Sequence, residues 1–294
     1  MRCGRAASRH PEEQFGAMKR PLIAMDTWFT THLGTYTIEA QCEMLAELEF
    51  DGLLPSLQGP AVLEALPRLF AEARKNRLSV PGFYAIYDIS APADSVENRL
   101  VLELIERMED CPVLELALHC KDKSFAASDA AGDDAAIRAL DGLLNAADRH
   151  NKQIALYAHI WFWMERHRDA VRLIEKMMHP RLKCAFSALH WFAVDGADFP
   201  DLLSTMAPYL ISVNTCGSRQ LGIKEGLPVS IETLDEGAFD QFGLILALNT
   251  IGYSGPVALQ GYSIGGDLHG KLRRSLAAFR EIEKRADIHP NWGF

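Results

Sequence analysis

Three histidines, His119, His159 and His190, stand at or just past the ends of runs with strand-like alternation. An imidazole in such a place can take and return a proton near neutral pH, or bind a ligand. His159 and His190 are the candidates for catalysis. His119 joins Asp26, Trp28, Tyr157, Trp161, Ser187, Asn214, Gln260 and Tyr262 as candidates for substrate binding. Ser56, Tyr87, Asp88, Lys121 and Cys216 occupy comparable run ends. The set is dominated by hydroxyls, amides and imidazoles, the convergent polar groups of a small-ligand pocket. Trp28, Trp161, Trp163 and Trp191 fall nearby, and sugar C–H faces pack on indole rings, so an aromatic wall is expected. Glu115 shares the parity of the polar residues but lies deep in its run, where a structural ion pair is expected. The other histidines (10, 32, 150, 167, 179, 269, 289) are expected in solvated places.

The elements that must position these residues alternate strictly. Strand patterns cover 22–28, 52–57, 78–87, 113–119, 154–159, 183–189, 210–216 and 256–262, with Pro81 weakening the start of the third. Helical periodicity covers 38–48, 61–75, 96–109, 134–149, 170–178, 199–206, 239–251 and 268–286. Strict βα alternation predicts a parallel sheet, either a closed barrel or a long doubly wound sheet. Strands of a doubly wound sheet are apolar on both faces. Here one parity is large and apolar while the other holds Ala117/His119, Ala155/Tyr157/His159, Ser212/Asn214/Cys216 and Ala258/Gln260/Tyr262. No GxGxxG follows the first strand. The expectation is an α/β fold with a single (β/α)8 TIM barrel over 21–287, between an N-terminal tail (1–20) and a C-terminal tail (288–294). The chemistry would then sit at the C-terminal ends of the strands.

Composition bounds the function. The 294 residues carry a formal net charge of -9 and no long basic run, which argues against nucleic acid. No apolar run approaches the roughly 20 residues that span a bilayer. Six scattered cysteines lack CxxC spacing and read as reduced core thiols. The first twenty residues lack a secretory apolar stretch, so the cytoplasm is expected, with a start at Met18 left open.

The segments IALYAHIWFWMERHRDAVRLIEK, CAFSALHWFAVDG, IGYSGPVALQGYSIGGD…LRRSLAAFR and the early IEAQCEMLAELEFDGL resemble the xylose isomerase-like TIM-barrel superfamily of sugar isomerases and epimerases. Endonuclease IV is a distant relative in it. The resemblance runs over about residues 21–285. It implies a divalent metal held by two Glu, an Asp and a His on strands five to eight. At those places this chain has Tyr157, Ser187, Asn214 and Gln260. His190 matches the His of the family's D-x-x-H, and His159 resembles a common pocket His.

Hard divalent cations want carboxylate oxygens, so a conventional Mn²⁺ or Mg²⁺ site is not expected. Zinc on His119, His159 and His190 stays open as a cofactor. Three readings follow. The first is a barrel in which His159 and His190 move a proton beside a carbonyl of a sugar or keto-sugar. The second is a non-catalytic sugar-binding relative or partner subunit, and the third is an ordinary metal-dependent isomerase. The expected partner is a small-molecule carbohydrate, with no nucleic acid and no membrane; a homo-oligomer stays open. A phosphorylated sugar would call on Arg219, Lys224 and the Gly265-Gly266 turn.

Overall fold

A computed structural model describes residues 19–223 and 226–293 of the chain. Eight parallel strands curl into one cylinder: β1 (Leu22–Met25), β2 (Gly52–Leu54), β3 (Gly82–Asp88), β4 (Val113–His119), β5 (Gln153–Tyr157), β6 (Leu182–Ser187), β7 (Leu210–Thr215) and β8 (Val257–Leu259). Around the cylinder the order is β2-β1-β8-β7-β6-β5-β4-β3. The remaining gap, between β2 and β3, is bridged at Gly52–Ser79 and Ser56–Tyr84. Outside lie helices α1 (Ile38–Glu47), α2 (Pro60–Lys75), α3 (Val96–Arg107), α4 (Asp133–Arg149), α5 (His167–Met177), α6 (Ala188–Val194), α7 (Phe199–Met206), α8 (Gln241–Thr250) and α9 (Leu268–Ile288).

The split in strand parity explains the closure. Leu114, Leu116, Leu118, Ile154, Leu156, Cys184, Phe186 and Val213 pack outward on the helices in the main core. The alternate residues form the lumen, with Ile23, Met25, Leu54 and Ala258 on one side and Ala117, Ala155 and Ala185 on the other. The alanines leave room for two aromatic rings, Tyr84 and Tyr157, which meet edge to face with centroids 5.0 Å apart. A slip of one residue in any strand would exchange these faces. Side-chain caps fix several helix starts: Thr37 for α1, Ser95 for α3, Asp240 for α8 and Asp267 for α9. No described helix is long and apolar enough to cross a membrane. The five described cysteines are free and buried.

Several boundaries differ from the sequence reading. β1 stops at Met25, and Asp26–Phe29 winds into a 3-10 turn, so Asp26 and Trp28 leave the strand. β3 begins at Gly82, because Pro81 has no N–H for the ladder. β6 ends at Ser187, and the apolar run after it is helix α6. Short apolar runs have no period that tells strand from helix. At the N-terminus Arg20 is not tail. It is buried, donating to Tyr253 O at 2.9 Å and to Asn249 Oδ1 at 2.6 Å, and it is paired with Glu283. Of the rest of the predicted N-terminal tail, Lys19 is exposed and residues 1–18 fall outside the described residues. The C-terminal tail is in part packed, with Trp292 stacked on His289 at 3.7 Å and facing Phe242.

Candidate functional site at the barrel mouth

The loop after β5 is tight and held by its own backbone. His159 N–H donates to Met164 O at 3.0 Å, Met164 N–H to Leu118 O at 3.1 Å, and Phe162 N–H to His159 O at 3.1 Å. Trp161 takes a left-handed backbone (φ 71°) to complete the turn, and its N–H donates to Glu165 Oε1. Left-handed backbone costs a non-glycine residue roughly 1 kcal/mol, which the surrounding bonds must offset. The turn carries the His159 ring over the lumen and folds the Phe162 ring onto it, with centroids 4.1 Å apart. Phe162 also stacks on His119, at 4.3 Å. Sequence reasoning missed Phe162. Its signal was only its place between two tryptophans, just past His159.

His190 comes from the first turns of α6 and meets His159 with ring centroids 4.0 Å apart. The neighbours of the two rings set their tautomers. His159 Nδ1 lies 2.7 Å from Ile160 O, a group that can only accept, so Nδ1 carries the proton and Nε2 a lone pair. His190 Nδ1 faces Ile160 N–H at 3.5 Å, the limit of such a contact, so there the lone pair is on Nδ1 and the proton on Nε2. One ring offers an acceptor, the other a donor. Burial lowers both, His159 to about 4 and His190 well below its usual range, with the neighbouring imidazole lowering His190 further. Both are uncharged at neutral pH.

Below the histidines lies a polar floor. Tyr157 O–H donates to Ser187 Oγ at 3.0 Å. Ser187 N–H donates to His167 Nε2 at 2.9 Å. His167 is therefore a buried residue, against the expectation of a solvated one, because α5 begins at His167 and turns it under β6. Deeper in the lumen, level with Ala155, Glu115 accepts from Ser212 Oγ and from Asn214 Nδ2 (3.1 Å). The expected ion pair is absent: among the described residues no cation reaches Glu115, and burial raises its carboxyl to about 7. Tyr84 Oη, Asn214 Oδ1 and Gln260 Oε1 are buried with no partner. Buried polar atoms without partners are rare, and such atoms mark places where a ligand or water belongs. Ile86, 39 % exposed on the lumen parity of β3, shows that the mouth above Tyr84 is open.

The residues singled out in the sequence therefore divide. His119, Tyr157, His159, Ser187, His190, Asn214 and Gln260 gather in or over the lumen. Asp26 and Tyr262, with Ser56, line a separate cavity beside β1 and β2. The aromatic wall does not form. Trp28 is enclosed, its indole N–H donating to Leu259 O at 2.9 Å, and Trp163 is enclosed with its N–H on Asp129 O. Trp191 packs on Phe199 and Phe239, behind α6. Only Trp161, 57 % exposed, is free at the mouth. Of the predicted phosphate cradle, Arg219 puts Nε and Nη2 on the Glu232 carboxylate, each at 2.7 Å, and Lys224 is outside the described residues. Cys216 is a buried thiol pushed up to about 12, so it is inert. A Cβ on Gly261 would run into the Trp28 indole. Gly261→Ala is accordingly expected to lower stability by about 1–3 kcal/mol, read by thermal unfolding.

A closed (β/α)8 cylinder with its polar groups at the C-terminal mouth defines a TIM barrel. The chain belongs to the xylose isomerase-like TIM barrel family, whose profile matches residues 42–282. Among solved structures it is similar to a xylose isomerase domain protein from Planctomyces limnophilus (TM-score 0.70, 15% identity, 92% of this chain and 98% of that one). It is also similar to 3-keto-D-glucoside 4-epimerase from E. coli (0.67, 16%, 90% and 100%). A third is D-psicose 3-epimerase from Clostridium cellulolyticum H10, solved with D-tagatose (0.67, 14%, 90% and 99%). At these identities the likeness is one of fold. No curated protein matches the sequence.

Proposed function

We propose that this barrel moves a proton at a carbon beside the carbonyl of a sugar or keto-sugar, using His159 and His190 in place of carboxylates. The observation that carries the proposal is the meeting of the two imidazoles, ring centroids 4.0 Å apart, with backbone neighbours that assign them opposite tautomers. His159 Nε2 takes the proton from the carbon bearing a hydroxyl. The electron pair of that C–H bond forms the enediol double bond, and the carbonyl oxygen receives the proton of His190 Nε2. To complete the transfer, the hydroxyl oxygen on the first carbon gives its proton to His190 Nε2, left bare by the first step, and its electron pair forms the new carbonyl. The enediol double-bond pair takes the proton of His159 Nε2 at the neighbouring carbon. Both imidazoles stand together, so removal and return from one face favour isomerisation between adjacent carbons. Asn214 Oδ1, Gln260 Oε1 and Tyr84 Oη would hold hydroxyls of the sugar.

The family implies a divalent metal, and the donors present do not fit one. Tyr157, Ser187, Asn214 and Gln260 are neutral. Tyr157 and Ser187 bond to each other, and the Asn214 amide bonds to Glu115. Among the described residues no three His, Cys, Asp or Glu side chains gather to hold an ion, which also speaks against zinc on the three histidines. A second reading, a binding relative without turnover, draws support from His159 itself, since an imidazole lowered to about 4 is a weak base.

The test is solvent exchange. The protein, freed of metal by chelation, is incubated in D2O with a panel of ketoses and aldoses, including D-fructose, D-tagatose and D-xylose. Proton NMR then reads deuterium entering beside the carbonyl. Exchange is expected, and His159→Gln should slow it by about 10²–10⁴-fold with the fold intact. No exchange on any sugar, or full exchange in His159→Gln, would sink the proposal, and exchange only after adding a divalent ion would restore the metal-dependent reading.

A further inference from the structure

We infer that the cavity between β1, β2 and helices α1 and α2 is a second ligand site, built for an uncharged polyol and separate from the lumen. The cavity measures about 610 Å³, within the usual range for small-molecule sites. None of His159, His190, Tyr157, Asn214 or Gln260 lines it. Its roof is a small antiparallel hairpin, Thr30–Thr31 against Gly34–Thr35, tied by Tyr36 N–H to Phe29 O at 3.0 Å. Its floor is apolar, with Leu53, Val62 and Leu69.

The walls carry the chemistry. Thr27, Thr30, Thr35, Thr37 and Ser56 contribute hydroxyls, and Tyr36 and Tyr262 contribute ring faces with phenols. Hydroxyls both donate and accept, which suits a ligand made of alcohols, and sugar C–H faces pack on aromatic rings. Asp26 gives the site a fixed acceptor. Its Oδ2 accepts from Ser56 N–H at 2.8 Å and its Oδ1 from Ser56 Oγ at 2.6 Å. Each oxygen keeps a further lone pair for a hydroxyl of a ligand.

Charge narrows the class. Arg68 lines the cavity, but Glu39 holds its Nε and Nη2 at 2.5 and 2.6 Å. That pairing lowers Glu39 to about 2 and raises Arg68, so the two stay charged and cancel over the range in which proteins are handled. Asp26 remains as the uncompensated charge, which repels phosphates and carboxylates. Of the charged groups facing the cavity, it alone titrates near neutrality: burial raises it to about 6.

The experiment labels threonine and isoleucine methyls in the full chain, so that Thr30, Thr35, Thr37 and Ile38 report from the cavity by NMR. D-fructose, D-glucose and myo-inositol are the neutral probes, glucose 6-phosphate the anion and ethanolamine the cation. A neutral polyol is expected to shift the cavity methyls at pH 7.5. Asp26→Asn should weaken that response about tenfold or more, since it removes the charge behind two hydrogen bonds. The wild-type response should fade below about pH 6 as Asp26 takes up its proton. Thr35→Val, on the exposed hairpin, is the variant that leaves the barrel wall alone and should also weaken binding. Silence of the cavity methyls toward all three polyols overturns the inference. So does a response untouched by both variants, or a stronger response to ethanolamine or the phosphate ester. His159→Gln should leave the cavity response intact. Absence of solvent exchange in the wild-type protein with the cavity response present therefore counts against the catalytic reading alone, and exchange without a cavity response against the second site alone.

Discussion

Replacing Glu115 by glutamine is expected to make the protein more stable at pH 8 by up to about 3 kcal/mol, while leaving it nearly unchanged at pH 5. The sign follows from the direction of the shift. Burial raises the carboxyl from 4.5 to about 7 in the folded chain. Between these values the folded protein keeps a proton that the unfolded chain has released. Stability from this group is therefore complete below about pH 4.5 and is lost as pH rises through about 7. Glutamine keeps the geometry, accepting from Asn214 Nδ2 and donating to Ser212 Oγ, and carries no charge to bury. His159 and His167 act in the opposite sense: lowered to about 4 and about 3, they withdraw stability as pH falls below 6.5. They are common to both proteins, so the difference between the melting curves isolates Glu115. In melting temperature the gain at pH 8 is about 5 °C for a chain of this size. Equal curves at pH 8 would mean that Glu115 has a cation or solvent partner after all.

The second large effect is at the base of the barrel. Arg20→Ala is expected to cost about 3 kcal/mol, at the lower end of the range for breaking a buried ion pair, because Arg280 still holds Glu283 at 2.9 Å. Arg20 joins the start of β1 to α8 through Asn249, to the turn after α8 through Tyr253 and to α9 through Glu283. Adding Glu283→Ala to Arg20→Ala should cost less than the sum of the two single changes, since the second charge is then no longer left stranded. Urea unfolding of the four proteins reads both numbers. Additive costs would show that the pair does not interact.

Arg20 also marks where the sequence stopped being legible. It sits beside a segment with no period, and a barrel-closing arginine has no local signature; its partners are 229 to 263 residues away. The barrel was legible because an alternation of large apolar against small or polar residues is a property of each strand alone. His159 was legible for the same reason. His190 was found, but on the wrong element, since Ala188 and Leu189 fit a strand and a helix equally well. Glu115 was seen and misread: its partners, Ser212 and Asn214, are neutral and come from β7. The division of Asp26 and Tyr262 from the histidines was not legible, because it depends on the 3-10 turn after β1 and on a hairpin of four paired residues, Thr30–Thr35, with no strong turn motif.

The uneven stitching of the cylinder has a mechanical consequence. β3 and β4 pair without a break from Gly82–Val113 to Asp88–His119, and ladders continue through β5 and β6 to β7. Between β2 and β3 only two separate bridges hold, one of them at Ser56, the anchor of Asp26. The imidazoles thus ride on the stiff arc and the acid on the compliant one. Any loosening of that seam therefore reaches Asp26, through Ser56, before it reaches the rings on the far arc.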